Sequence, residues 1–343
     1  MTSMERVLTT LSHQEPDRLP VFHLVSFYGA KELGMSIPEY FSKPEHVVAG
    51  QLRMRKKYSN DCIYTFFYAP IEVEAFGGEV VFPPECPPNS GEPFLQSSQQ
   101  IKGLDAPKVH ESRPLQVVLE ATRQLKQAVG DTVPIIGVVM SPFSLPVMQM
   151  GFAEYLELLY EKPKEFQQLM AINEEFCVDW ANAQLAAGAT AICYFDPLAS
   201  PTMIERSTYL KTGHTVAQRT IGRFNGPAAT HLASGRSLAV LDDIAATGSA
   251  VLGFSADDDI AAIKSKAAGK ICLLGNLNGI DMVNWDSQRT QREVQQRIQQ
   301  AASGGGFILS DNHGDVPWQV PESVLLEVAA AVKEHGTYPI KEA

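Results

Sequence analysis

The alternation of short apolar strands with helical stretches limits the folds open to this 343-residue chain more than any other feature. Runs of apolar and β-branched residues end at Gly, Pro, Asn or Asp, and a helical pattern follows most of them, which is typical of a parallel sheet. Several runs are apolar throughout, as expected of strands covered on both faces. We predict eight strands, at residues 19–25, 62–67, 133–140, 189–195, 219–225, 250–254, 270–275 and 305–309.

Eight strand–helix units in succession favour an α/β fold, a (β/α)8 or TIM barrel, which forms one domain even at this length. We therefore expect residues 1–343 to form a single barrel domain. The first intervening helix begins with the capping-box pattern Ser42-Lys43-Pro44-Glu45. Start signals and apolar periodicity place three helices at about 42–57, 162–187 and 260–268.

The stretch at 76–116, in the N-terminal half, departs from this alternation. Its segment 82–93 reads Phe-Pro-Pro-Glu-Cys-Pro-Pro-Asn-Ser-Gly-Glu-Pro and cannot form a helix or a central strand. Long loops of this kind are often functional. We expect a long excursion over the mouth of the barrel.

Charge and cysteine content narrow the classes of partner. A net charge of -11 argues against nucleic acid or an anionic membrane as the main partner. The five cysteines are odd in number and have no CxxC spacing, which argues against a disulfide framework and favours a reducing compartment. No apolar run approaches the roughly 20 residues of a membrane helix. We expect a cytoplasmic enzyme, with the oligomeric state left open, a homodimer included.

In a (β/α)8 barrel the chemistry lies at the carboxyl ends of the strands. His231 and His313 fall there, and each could bind metal, transfer a proton or donate a hydrogen bond; a loop histidine without a chemical role is the alternative. Asp196 follows a strand and either shapes a turn or holds a substrate, a metal or a histidine. These three are the candidate catalytic residues, and the candidate substrate-binding residues are His23, Tyr68, Asn276 and Asp311.

Four short motifs occur along the chain: Met-Glu-Arg-Val-Leu with Glu-Pro-Asp-Arg-Leu-Pro-Val (4–8 and 15–21), Phe-Asp-Pro-Leu-Ala-Ser (195–200), Gly-Asn-Leu-Asn-Gly (275–279) and His-Gly with two later prolines (313–321). In order and spacing they resemble the uroporphyrinogen decarboxylase-like superfamily. Asn278 and Gly279 replace the Asp and Pro of the superfamily's Gly-Asn-Leu-Asp-Pro, and Asn312 replaces the first glycine of its Gly-His-Gly. The resemblance covers nearly the whole chain and implies a single (β/α)8 barrel.

The superfamily contains two main chemistries, and this chain lacks the residues that serve the first. Uroporphyrinogen decarboxylases carry Arg-Gln-Ala-Gly-Arg after the first strand, whose arginines hold the acidic side chains of the tetrapyrrole. Residues 23–30 here contain no arginine. Residues 66–69, Phe-Phe-Tyr-Ala, lack the carboxylate of the decarboxylases' Phe-Ser-Asp, and their later tyrosine is missing near Met148. The resemblance thus favours the cobalamin-dependent methyltransferase branch.

Membership of that branch implies a corrinoid supplied by a partner protein and, in thiol-methylating members, a zinc ion held by His-x-Cys and a later Cys. His231 matches the first ligand, Ala233 stands in place of the Cys, and His313 stands about where the last Cys would be. Zinc could bind His231 and His313 with help from an oxygen of Asp311 or Asp196. A site without metal is the alternative.

The resemblance predicts a corrinoid-dependent methyltransferase that moves a methyl group between a small methylated substrate or thiol and the corrinoid of a partner protein. A site with fewer thiolates suits demethylation of an ether or an amine at least as well as methylation of a thiol. Two alternatives stay open at this point, a decarboxylase of tetrapyrrole biosynthesis and a barrel that has lost catalysis.

Overall fold

A curled parallel sheet forms the centre of the computed structural model, which describes residues 1–341. Seven strands run parallel in the order β1-β4-β5-β6-β7-β8-β9, and β2 and β3 form a separate antiparallel pair. The strands are β1 (Ile63–Tyr64), β2 (Val80–Val81), β3 (Asn89–Ser90), β4 (Ile135–Met140), β5 (Ala191–Phe195), β6 (Ala228–His231), β7 (Val251–Gly253), β8 (Cys272–Leu277) and β9 (Phe307–Asp311).

Helices connect successive strands of the sheet, as the alternation in the sequence predicts. They are α1 (Ser3–Leu11), α2 (Tyr28–Leu33), α3 (Ile37–Phe41), α4 (Pro44–Tyr58), α5 (Ile71–Ala75), α6 (Arg113–Val129), α7 (Pro146–Met150), α8 (Phe152–Glu161), α9 (Pro163–Ala187), α10 (Arg206–Lys211), α11 (Gly213–Ile221), α12 (Leu241–Ala245), α13 (Ile260–Ala267), α14 (Ser287–Ala301) and α15 (Glu322–His335). Short 3-10 helices lie at Ser98–Gly103, Val109–Glu111, Pro197–Ala199 and Asp281–Asn284.

Six of the eight predicted strands are confirmed, since they overlap β1, β4, β5, β7, β8 and β9. The segment 19–25 forms an extended chain with one parallel bridge, between Val21 and Leu309, and is not assigned as a strand. Phe22 N–H donates to Leu309 O (2.9 Å), and Asp61 N–H donates to Val21 O (2.7 Å). The segment therefore joins β9, at one edge of the sheet, to the residues that lead into β1 at the other.

The predicted strand at 219–225 is wrong. Its first residues belong to α11, in which Val216, Ala217, Thr220 and Ile221 are buried at helical spacing. The strand comes later, at β6, where two alanines give little sequence signal because alanine is depleted in strands. As a result His231 is the last residue of a strand and does not lie in the turn that follows.

The predicted helix starts are confirmed in two cases. Residues 162–187 contain the long helix α9, and Asp259 caps α13 by accepting a hydrogen bond from Ala262 N–H (2.9 Å). The predicted capping box of α4 is wrong, because Ser42 Oγ donates back to Glu39 O (2.7 Å) and the N-cap residue Lys43 makes no side-chain cap.

The stretch 76–116 contains the β2–β3 pair and two 3-10 helices before α6 begins. Phe76 and Phe82 pack against the core residues of the neighbouring helices. Gln319, in the loop after β9, donates to Glu85 O (3.0 Å). That this stretch covers the mouth of the barrel stays a prediction.

The five cysteine thiols are free, and all but Cys86 are buried. Burial raises the pKa of Cys193 to about 12, so this thiol stays protonated and unreactive at neutral pH. Across residues 1–341, no helix combines the length and the apolar character needed to cross a membrane.

Candidate active site

His231, at the carboxyl end of β6, lies at the centre of the candidate site. Its ring is buried (1% exposed) and stacks on Phe195 of β5 with the ring centroids 5.3 Å apart. Gly253 of β7 leaves room for the ring, because a β-carbon there would lie 2.2 Å from Cδ2 of the imidazole. Burial, with the nearby His313, lowers the pKa of His231 to about 4, so the imidazole is neutral at physiological pH.

The backbone fixes which nitrogen of His231 carries the proton. Ala233 N–H donates to Nδ1 of His231 (3.0 Å), and a backbone N–H can only donate. The neutral imidazole therefore carries its proton on Nε2. Nε2 is buried and has no hydrogen-bond partner. His231 thus presents one unused, buried hydrogen-bond donor.

His313 lies close to His231 in the loop after β9. Its Nδ1 is 2.6 Å from Ser234 Oγ, in the turn after β6, and its Nε2 is 3.3 Å from Asn278 Oδ1, in the turn after β8. Burial lowers the pKa of His313. This imidazole therefore ties together the loops that follow three strands.

Asp311 lies on β9 and Asn276 on the neighbouring strand β8, both near the carboxyl ends of these strands. The carboxylate of Asp311 accepts backbone N–H groups of Leu24 (3.0 Å) and His313 (3.3 Å), and burial raises its pKa to about 6. Asn276 donates to Ser255 O (3.0 Å), while its Oδ1 is buried without a partner. Asp311 therefore orients the His313 loop, and Asn276 presents an unused acceptor.

Asp196 is buried at the end of β5, but no hydrogen bond joins its carboxyl group to either imidazole. Oδ1 accepts from Ser141 (2.7 Å) and Ser144 (2.6 Å), and Oδ2 has no partner. Burial raises its pKa to about 6. Its backbone N–H donates to His231 O (2.8 Å), so it acts on the site by positioning the end of β6.

The other two candidate substrate-binding residues make no side-chain hydrogen bond to His231, His313, Asp311 or Asn276. The ring of His23 is buried, both its nitrogens lack partners, and burial lowers its pKa to about 4. Tyr68 donates to Glu74 (2.6 Å) and packs among Phe41 and Phe82. The structure thus places His313 close to His231 and joins it to Asp311, with Asn276 on the strand next to Asp311 and Asp196 at the end of the strand next to His231.

A family model described as uroporphyrinogen decarboxylase (URO-D) matches residues 2–335. The chain belongs to the URO-D family. The match covers nearly the whole sheet and every strand end described above, so the resemblance carried by the four sequence motifs is confirmed.

Relatives within the URO-D family fall into both activity classes. A uroporphyrinogen decarboxylase of Tolumonas auensis is 26% identical over 98% of this chain and 99% of its own length. A methylcobamide:CoM methyltransferase of Methanosarcina barkeri is 25% identical over 96% of this chain and 97% of its own length. A solved methyltransferase from Methanosarcina mazei, 22% identical over 97% of this chain and 99% of that one, has a TM-score of 0.87, which shows a shared fold. Sequence identity alone does not separate the two activities.

Arginine is the residue type that distinguishes a site for a polyacidic tetrapyrrole within the URO-D family. Across residues 1–341, no arginine side chain hydrogen-bonds to Asp196, His231, Asn276, Asp311 or His313. The arginines of the N-terminal motif are engaged elsewhere, since Arg6 and Arg18 bind Asp61 (2.7 and 2.8 Å). These five residues therefore lack a guanidinium partner of their own, while Arg236, in the loop after β6, is exposed.

The zinc ion suggested by the sequence does not fit the donor groups that are present. Within residues 1–341, no three His, Cys, Asp or Glu side chains are arranged to hold a metal ion. Nε2 of His231 carries a proton because Nδ1 accepts from Ala233, whereas a metal ligand must be unprotonated. Ala233 stands where the resemblance implies a cysteine ligand, and its backbone N–H donates a hydrogen bond to Nδ1 of His231.

Sequence reasoning missed Glu72, on α5. This side chain is buried (3% exposed), and Oε1 accepts from Met140 N–H (2.8 Å). Burial raises its pKa to about 8, so it is protonated at neutral pH. It lines a small cavity together with Phe195, the ring that stacks on His231. The sequence carries no signal for it, because Glu72 and Glu74 look alike in Ile-Glu-Val-Glu-Ala.

We expect Glu72 to make the protein less stable as the pH rises from 6.5 to 8. The pKa of Glu72 is 4.5 in the unfolded chain and about 8 in the folded protein. Between these pH values the folded state holds a proton that the unfolded chain has released, so the free energy of unfolding falls as the pH rises. The expected loss is on the order of 1 kcal/mol over that window. Urea unfolding at pH 6.5, 7.2 and 8 measures it.

Glu72→Gln should flatten this pH dependence, because the amide cannot ionise. Glu45→Gln, which changes an exposed glutamate on α4, is the matched control and should keep the slope of the wild type. His23 and His231, whose pKa values are 6.5 in the unfolded chain and about 4 in the folded protein, raise the stability with pH at the acid end of this window, and the buried carboxyl of Asp315 also has a raised pKa. Because both variants keep these groups, the difference in slope between Glu72→Gln and the wild type isolates Glu72. An unchanged slope in Glu72→Gln would contradict the assignment.

Proposed function

We propose that this URO-D family member is a methyltransferase that moves a methyl group between a small substrate and the corrinoid of a partner protein. One observation carries the proposal. The strand ends contain a neutral imidazole N–H, of His231, and two carboxyl groups with raised pKa values, of Asp196 and Asp311. Among the described residues, no arginine side chain is hydrogen-bonded to these groups. Such a site suits a substrate with little charge and not a polyanionic tetrapyrrole.

His231 is the proposed catalytic residue. When a methyl group leaves an oxygen, nitrogen or sulfur atom, the bonding electron pair stays on that atom. A neutral N–H fixed in a buried site stabilises the developing negative charge without reorganisation. Nε2 of His231 is buried and free to donate, and stacking on Phe195 holds its ring.

The other residues have positioning or binding roles in this proposal. His313 ties the loops after β6, β8 and β9 together, and Asp311 orients its backbone. Asp196 fixes the end of β6 through its N–H bond to His231 O. The free Oδ1 of Asn276 is an acceptor for substrate. Binding of substrate by His23 and Tyr68 stays a prediction.

The proposed partner is a corrinoid protein that docks on the loops after the strands. Met203 follows β5 and Ile280 follows β8, and both side chains are exposed. They are candidate contacts for the partner on this face. When bound, the corrinoid supplies the nucleophile that accepts the methyl group or the carrier that donates it. We propose that the curled sheet and segment 19–25 together form one (β/α)8 barrel. The proposed enzyme is cytoplasmic.

A methyl-transfer assay tests this function. We expect the purified protein, given cob(I)alamin and a panel of methoxylated, methylamine and thiol compounds, to produce methylcobalamin with at least one methyl donor, or to methylate a thiol from methylcobalamin. Absorbance spectra of the cobalamin follow the reaction. We expect no coproporphyrinogen from uroporphyrinogen, because residues 23–30 contain no arginine and none is hydrogen-bonded to the residues of the site. The reverse pattern of products would replace this proposal with the decarboxylase.

A further inference from the structure

Small side chains leave the interior of the curled sheet hollow. Cys193 of β5 and Ala229 of β6 are partners in the strand register, and both line one cavity together with Ala191 of β5 and Cys62, just before β1. Bulky branched side chains in layers normally fill the interior of such a barrel. Because these four side chains are small, the interior keeps a cavity of about 110 Å³.

The cavity opens at the amino-terminal ends of the strands. Leu8 of α1, Pro227 before β6 and Ala250 before β7 line it, and all three residues are exposed. His231, at the carboxyl end of β6, lines the opposite end of the cavity. The entrance therefore lies between α1 and the starts of β6 and β7, on the opposite face of the barrel from the loops that carry the candidate active site.

The polar side chains that line this cavity are engaged elsewhere. Tyr64 donates to Gly314 O (3.1 Å), and Thr190 Oγ accepts from Ile135 N–H (3.1 Å). Nε2 of His231 is buried and has almost no accessible surface, so a molecule in the cavity does not reach it. These side chains therefore offer no hydrogen bond to a ligand in the interior.

The two thiols in the lining add no charge. Burial raises the pKa of Cys193 to about 12 and raises the pKa of Cys62 well above its ordinary value, so both thiols are protonated at neutral pH. A buried protonated cysteine behaves as a small hydrophobic residue. A polar group on a ligand would lose its hydrogen bonds to water here and gain none in return, which costs free energy. The cavity therefore favours a ligand without polar groups.

We propose that the interior of the barrel binds a small uncharged hydrocarbon, no larger than about one benzene ring, which enters beside Leu8. An engineered apolar cavity of roughly 150 Å³ stays dry and binds benzene or xenon, and the cavity here has a similar size and lining. The ligand makes only van der Waals contacts with the inward-facing side chains. The inference does not depend on the proposed methyl transfer, because the ligand binds away from the loops that carry the active site.

Benzene and phenol test the chemical class, because they differ by a single hydroxyl group. Their dissociation constants follow from the rise of the thermal unfolding temperature with ligand concentration, since a ligand that binds only the folded protein stabilises it. We expect benzene to bind, and phenol to bind at least about tenfold more weakly, because its hydroxyl group would be buried without a partner. No stabilisation by benzene, or binding of phenol as tight as that of benzene, would overturn the proposal.

Methyl NMR spectra of the wild type test the location. The ring current of bound benzene should shift the methyl resonances of Ala191 and Ala229, which line the cavity, and leave that of Ala261, exposed on α13, in place. Benzene that stabilises the protein without shifting Ala191 or Ala229 would overturn the location.

A cavity-filling variant gives a second test of the location. Ala229→Leu places a larger side chain in the interior and should weaken benzene binding at least about tenfold, because it removes the volume that the ring occupies. Ala261→Leu is the matched control and should bind benzene as the wild type does. Equal binding by Ala229→Leu and the wild type would overturn the location, and the NMR comparison decides it if Ala229→Leu does not fold.

Discussion

Replacing His231 with phenylalanine is expected to reduce methyl transfer by about 10²–10³-fold, the loss typical of removing one fixed donor from a developing anion. Phenylalanine keeps an aromatic ring for stacking on Phe195 and removes both nitrogens, while its larger ring must fit beside Gly253. Turnover of the best substrate from the panel, measured with saturating cob(I)alamin, gives the ratio. The effect should fall mainly on kcat, since the donor acts most strongly on the charge that develops during transfer.

Two further variants separate chemistry from folding. His231→Gln keeps an N–H donor and should retain more activity than His231→Phe. His214→Phe changes a histidine on α11 that contacts Asp243 O and lies outside the site, and it should leave turnover unchanged. Thermal unfolding checks that all three variants are folded. Full activity in a folded His231→Phe would remove His231 from the mechanism.

The sequence predicts the sheet well where strands are apolar and β-branched, and poorly where they are not. Residues 135–140 and 307–311 stand out because both faces are buried, which leaves a continuous apolar run. β6 escapes notice because two of its four residues are alanines, whose small side chains also help to leave the interior hollow. A strand built from small side chains lacks the bulky residues by which strands are recognised.

The candidate site is predictable as a set of residues but not as a geometry. Because the carboxyl ends of parallel strands converge, His231 and His313 could be placed together from the sequence. Which nitrogen of His231 carries the proton depends on the backbone N–H of Ala233. The residue type of Ala233 does not predict its backbone φ of 51°. The carboxyl group of Asp196 accepts hydrogen bonds from Ser141 and Ser144, and the sequence does not indicate these partners because the tertiary fold determines them.

The N-terminal motif that links this chain to its family has a structural role. Asp61, just before β1, is buried (1% exposed) and accepts from Arg6, Arg18 and Ser3 side chains and from Val21 N–H. Segment 19–25 has only one bridge to the sheet, so this carboxylate is a main link between α1, that segment and β1. The family's N-terminal arginines therefore hold the two edges of the sheet together.

Asp61→Ala is expected to lower the free energy of unfolding by about 3–5 kcal/mol, because removing one partner leaves buried charges uncompensated. Arg6 would be left almost fully buried with only the half-exposed Asp17 for a counter-charge. Asp131→Ala, which removes an exposed carboxylate paired with Lys126, is the control and should leave the free energy of unfolding close to that of the wild type. Urea unfolding at pH 7 compares them. Equal losses in the two variants would mean that the segment is held by its backbone hydrogen bonds alone, and that Arg6 and Arg18 do not join the sheet edges.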